Sequence, residues 1–138
     1  MELRHPTALA VALMVSACGG DGPTDPNGGG SGNGGGGVLL DDPSFQANIN
    51  PIFTGNGCTA SNCHGGGKAG LTLTSNVSDN YGNLVNVPAT SENFLRVKPG
   101  DAQNSYLVIK LEGRQTVGSQ MPLTGCCLDP IVIGNIRN

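Results

Sequence analysis

The chain has 138 residues, enough for one domain, and part of that length lacks the composition of a folded one. With no Trp, three Phe and two Tyr against 23 Gly it can bury only a modest apolar area, and small domains of this kind recruit a metal, a disulfide or a cofactor. A net charge of −3 without a basic cluster argues against a nucleic-acid partner, because nothing is present to neutralise phosphates.

Met1 to Pro6 carries Arg4 and His5, and Thr7 to Val15 is an apolar run too short to span a bilayer as a permanent helix. Residues 1–17 therefore read as an export signal. Its end, Val15-Ser16-Ala17-Cys18, resembles a bacterial lipobox, in which small residues precede a cysteine that is lipidated and becomes the first residue of the mature chain. On that resemblance Cys18 anchors the protein to a lipid bilayer; the competing reading is an incidental small apolar residue in an ordinary signal. By the same resemblance, Gly19 rather than Asp after the cysteine favours the outer membrane. Residues 18–37 are Gly-rich, interrupted by Asp21, Pro23, Asp25 and Pro26, and without apolar periodicity they are expected to form a flexible tether. Export also means that cysteines oxidise, bind metal or are consumed by covalent chemistry.

The domain, residues 38–138, opens with Asp41-Asp42-Pro43, a helix start in which Asp caps and Pro occupies the first turn. Phe45, Ile49, Ile52 and Phe53 then recur at helical spacing, an ordinary core stripe, with Pro51 expected to kink or end the helix. Through Thr54-Gly55-Asn56-Gly57 this helix leads into Cys58-Thr-Ala-Ser-Asn-Cys63-His64, where two thiols and an imidazole crowd into one short stretch. A Cys-x-x-Cys-His run marks c-type haem attachment, since each thiol can add across a haem vinyl group while the imidazole lies under the iron. Here the thiols are two residues further apart. Gly65, Gly66 and Gly67 follow, giving clearance that a planar ring needs and that a plain surface loop also uses.

Leu71-Thr72-Leu73-Thr74 alternates and is expected to be extended. Ser78 to Val85 reads as a short helix capped by Ser78, with Tyr81, Leu84 and Val85 buried, ended by Pro88. Phe94 to Val97 is expected to be extended, and Pro99-Gly100-Asp101 a turn. Asp101 or Ser105 can cap a helix through Leu111, closed by Gly113 and placed against the first helix with the cofactor between them.

Met121 precedes Pro122, which restrains its backbone, and it is the only methionine outside the signal. As a second axial ligand its thioether would complete a His/Met iron and raise the potential; as a core gap-filler it would follow the commoner fate of methionine. Cys126 and Cys127 are neighbours, and a bond between neighbours closes a strained ring. Either can pair with another molecule, stay reduced, or join Cys58 or Cys63. Asp129-Pro130 opens a last helix carrying Ile131, Ile133 and Ile136.

Three readings of the thiols follow. The first is a monohaem electron-transfer protein, because no acid/base pair or activated nucleophile accompanies the motif and so no enzyme is implied. The second is a haem-free exported structural or interaction module in which Cys58 and Cys63 close a disulfide loop. The third is a zinc site drawing on Cys58, Cys63, His64 and Cys126 or Cys127, for which adjacent Cys63 and His64 are awkwardly placed.

The stretch from about Phe45 to Pro130 resembles a family of small exported bacterial cytochrome c-like domains, related to the planctomycete-type cytochrome c domains. The resembling segments are Ile52-Phe53 into Cys58–His64, Tyr81-Gly-Asn-Leu-Val-Asn-Val87-Pro88, Arg96-Val-Lys-Pro-Gly-Asp101, Asn104-Ser-Tyr-Leu107 to Lys110-Leu111, and Gln120-Met121-Pro122. In that family a Cys-x4-Cys-His motif is common. The resemblance implies a mostly α domain with long loops around one haem c, held by thioethers at Cys58 and Cys63, with His64 as proximal ligand and Met121 as distal ligand. It further implies redox proteins as partners at the cell envelope. Where the family continues into a final amphipathic helix that packs on the first, this chain has Ile133-Gly134-Asn135-Ile136 and stops, so a truncated C-terminal helix is expected, from a truncated or frameshifted sequence, or else a weaker fold.

Overall fold

The computed structural model describes residues 37–124 and 127–138. Cys18, Cys126, the export signal and all but the last residue of the tether lie outside them. The described part is mostly helical, with α1 (Asn50–Gly55), α2 (Val77–Leu84), α3 (Tyr106–Glu112) and α4 (Pro130–Arg137) joined by long loops and single-turn helices. Among the described residues pairing between extended segments is limited to isolated bridges, Val85 to Val97, Pro88 to Leu95 and Leu95 to Ser105. No described helix is long and apolar enough to cross a membrane.

The first helix starts later than Asp41-Asp42 suggested. Ser44 is its cap, accepting from the Ala47 amide, and Phe45–Ile49 forms a π-helical turn before α1. Pro51 sits in the first turn of α1, where its missing N–H is no loss, and the wider π turn leads up to it without ending the helix. The expected stripe is the core: Ile49 and Phe53 are buried with Leu73 and Leu84, and Phe45, Ile52, Cys58, Leu71, Val97, Leu107 and Ile136 pack around them. Burying each such side chain stabilises by about 1.5–3 kcal/mol.

In α2 the cap is Asn76, which accepts from the Asp79 amide, rather than Ser78. The helix therefore starts two residues earlier, and the buried set also differs from the expected one. Asn80 and Leu84 are fully buried, whereas Tyr81 is half exposed and meets Phe45 edge-to-face at 5.3 Å. The buried Asn80 side chain is bonded at both ends: its amide donates to Asn50 Oδ1 at 2.7 Å and to the Thr74 carbonyl at 2.8 Å, and its oxygen accepts from the Thr74 amide at 2.8 Å.

Asp101 caps a single turn at Ala102–Asn104, and α3 follows from Ser105 to a left-handed Gly113 with φ 73°, as expected of a C-cap. The last helix announced by Asp129-Pro130 is formed. Asp129 caps α4 through the Ile131 amide, and α4 packs on both α3 and the π turn at the start of the first helix. Its end is tied by Arg137 to Glu112 at 2.6 Å, and Asn135 and Asn138 reach the backbone of Leu40 and Val38. α3 reaches the core cluster around the first helix through Leu107 and also packs along α4.

Candidate functional site

The helix formed by the π turn and α1 delivers the chain directly to Cys58, whose amide donates to the Phe53 carbonyl at 2.8 Å. The chain then closes on itself: the His64 amide donates to the Cys58 carbonyl at 3.0 Å and the Cys63 amide to the Ala60 carbonyl at 2.9 Å. The two thiols and the imidazole therefore belong to one compact loop despite the widened spacing. Gly65 and Gly66 allow this closure, since a Cβ at either would fall far inside the carbonyl oxygens of Thr59 and Ser61. The clearance read from the glycines is taken up by the loop's own backbone.

Both Cys58 and Cys63 are free thiols, half-buried. Burial pushes the Cys58 thiol up, against a backbone hydrogen bond that lowers it, and neighbouring Cys63 adds to the rise. Such a thiol stays protonated at neutral pH and is a poor partner in thiolate-driven exchange.

His64 is oriented by its neighbours. Its Nδ1 faces two carbonyl oxygens, Lys68 at 3.1 Å and Leu71 at 3.4 Å. A nitrogen facing acceptors carries the proton, so Nε2 presents a lone pair, the form in which imidazole binds a metal. Nε2 makes no hydrogen bond among the described residues. The carbonyl of His64 in turn accepts from the Leu73 amide at 3.0 Å, which joins the loop to the extended segment that Asn80 holds.

Met121 is half-buried and held elsewhere in the fold. Its amide donates to the Lys110 carbonyl at 2.9 Å, and the Gln120 side chain donates to the Leu111 carbonyl at 2.8 Å. The loop before it is secured by Glu92, whose carboxylate accepts from the amides of Thr116 and Val117, both at 2.9 Å. Those bonds, the one from Val117 first, hold the Glu92 carboxyl below the usual carboxylate range. Among the described residues every hydrogen bond of residues 116–121 runs to α3 or to Glu92, and none to the Cys58–Leu71 segment. Two open grooves of about 340 and 350 Å³, one between Val97–Val108 and α4 and one over Phe94, are lined by none of Cys58, Cys63, His64 and Met121.

Cys127 is disulfide-bonded, and neither Cys58 nor Cys63 is its partner, since both are free. It offers no thiolate to a metal. Among the described residues no three His, Cys, Asp or Glu side chains converge on one ion.

No family model, no curated protein and no solved structure matches this chain.

Sequence reasoning passed over three residues that build this region. Arg96 sat within the Arg96-Val-Lys-Pro-Gly-Asp101 segment without a role, Asn80 lay unremarked inside the helix expected to start at Ser78, and Glu92 carried no signal at all. The residues that accept from His64 were equally hidden, because they contribute backbone carbonyls rather than side chains.

Proposed function

We propose that this chain is a monohaem c-type cytochrome, carried on a lipid anchor at Cys18 and transferring electrons at the cell envelope. The observation that carries the reading is the state of the Cys58–His64 loop: two unpaired thiols with an imidazole whose Nδ1–H is committed to backbone carbonyls and whose Nε2 is left for a metal. Covalent haem attachment needs reduced cysteines, and an axial histidine needs its far nitrogen fixed by a hydrogen bond. The donor set fits on both counts.

Haem c bound here would supply reversible one-electron exchange, ferrous to ferric. This chain's own contribution is to hold it and tune it. Cys58 and Cys63 would attach it, and His64 would bind through Nε2, with the Lys68 and Leu71 carbonyls making the imidazole a stronger donor. Met121 would be the second ligand, restrained by the Lys110 carbonyl and by the Glu92-tethered loop. The lean core supports the reading too: only seven apolar side chains are buried among the described residues, so a large apolar group would add what the side chains lack. Redox proteins are the expected partners.

The test is expression with the machinery for haem c maturation, denaturation, and an absorption spectrum of the unfolded chain. Haem that stays with the chain supports thioether attachment. A chain that emerges without haem sinks the proposal.

A further inference from the structure

The turn that receives His64 Nδ1 is closed by two bonds of its own, from the Gly70 amide to the Gly67 carbonyl at 3.1 Å and from the Leu71 amide to the Lys68 carbonyl at 3.2 Å, and it is braced from outside as well. Lys68 and Leu71, whose carbonyls accept from the imidazole, flank Ala69 and Gly70, and Ala69 is in the left-handed region at φ 54°. That conformation is disfavoured for a residue with a Cβ, so bonds from outside the turn help to hold it. Segment 83–96 supplies them. Thr90 Oγ1 donates to the Ala69 carbonyl at 2.8 Å, Arg96 Nη2 to the Gly70 carbonyl at 2.7 Å, and Asn83 Nδ2 to the Thr72 carbonyl at 3.0 Å.

Arg96 stands out among these three. Its other terminal nitrogen donates to the Asn83 carbonyl at 2.7 Å, so one planar guanidinium ties the end of α2 to the residue immediately before Leu71. Among the described residues it pairs with no carboxylate, the three ion pairs belonging to Lys98, Arg114 and Arg137. A half-buried arginine spent on two neutral carbonyls has a geometric task, since its fork fixes two acceptors at a set spacing that a lysine cannot match.

We propose that Arg96 is a positioning residue for His64: by clamping the Gly70 carbonyl it sets the Lys68–Leu71 turn, and through that turn it selects the Nδ1–H tautomer that leaves Nε2 for a metal. The proposal rests on the reading of His64 as a ligand, yet its central step is a property of the polypeptide alone. It is therefore read without haem, from long-range ¹H–¹⁵N correlation spectra of the His64 ring in the unloaded full chain, at a pH where the ring is neutral.

The wild-type chain is expected to give the Nδ1–H pattern. Arg96→Met, which removes both bonds, is expected to lose it, with the Nε2–H pattern of an unconstrained ring taking its place. Arg96→Lys, which reaches only one carbonyl, is expected to show a mixture of the two. Thr90→Val serves as a control for general loosening of the turn, and its shift should be smaller than that of Arg96→Met. A wild-type Nδ1–H pattern kept in folded Arg96→Met overturns the proposal; if that variant does not fold, the same pattern kept in Arg96→Lys overturns it. Loss of the pattern in a chain that never takes up haem would uphold the positioning role while removing the cytochrome reading.

Discussion

Replacing Asn80 by Ala removes three hydrogen bonds at a fully buried position, two donated to Asn50 Oδ1 and the Thr74 carbonyl and one accepted from the Thr74 amide. Asn50 is itself buried, so its amide oxygen loses a partner where water has little access. At about 1–3 kcal/mol for each buried group left unsatisfied, with some recovered by water entering the space vacated, the loss sums to about 3–5 kcal/mol. A domain of this size has about 5–15 kcal/mol in total, so the change removes a large share of its stability. With a urea slope of about 1.5 kcal/mol/M the midpoint should fall by about 2–3 M. Asn80→Asp sharpens the test, because a carboxylate keeps the bond from the Thr74 amide but loses both donations and buries a charge. It should be less stable than the Ala variant at neutral pH and regain stability as pH falls and the carboxyl protonates. A midpoint shift below about 0.5 M at unchanged slope for Asn80→Ala would refute the claim that this network fixes the segment behind His64.

Gly65→Ala should cost about 1–3 kcal/mol, read as a lowered thermal midpoint, because the Thr59 carbonyl must move to admit the new methyl group. Gly82→Ala, in the middle of α2 with open space around it, should instead stabilise by about 0.5–1 kcal/mol, and opposite signs for the two would tie the effect to loop closure. Hydrogen bonds from Lys98, then Asn104, hold the Asp101 carboxyl below its usual range, so its contribution is present above the unfolded value of about 3.9 and is lost as pH falls through the lower folded value. Asp101→Asn should therefore flatten the acid limb of a stability–pH curve, and an unchanged limb would contradict this. Met121→Ala should abolish the low-spin His/Met absorption of the haem-loaded chain and lower its potential; an unchanged spectrum removes Met121 as a ligand.

The sequence made some of this architecture readable because the deciding forces are local. The spacing of Phe45, Ile49, Ile52 and Phe53 fixes a buried face whatever surrounds it, and Gly113 and Asp129 mark helix ends by backbone conformation and capping alone. Asn76 and Ser78 are both acceptable caps by residue type, and the buried bonds that hold Asn80 inside, with Tyr81 half exposed, join it to residues the local sequence does not reveal. Packing of α4 between its neighbours was illegible for a similar reason: the ties from Arg137, Asn135 and Asn138 join residues that are distant in sequence. At the site, Cys58, Cys63 and His64 were legible as a motif. The acceptors that orient His64 were not, because any residue can offer a backbone carbonyl, and only the fold decides which ones face the ring.

The central claim is that the Cys58–His64 loop carries covalently attached haem. The most direct measurement is the haem content of the purified chain after denaturation and removal of free haem, compared between wild type and Cys63→Ala. The account predicts one haem per wild-type chain that survives denaturation, and loss or weakening of that attachment in the variant. Haem absent from the wild type, or haem that is extracted from it as readily as from the variant, would contradict it.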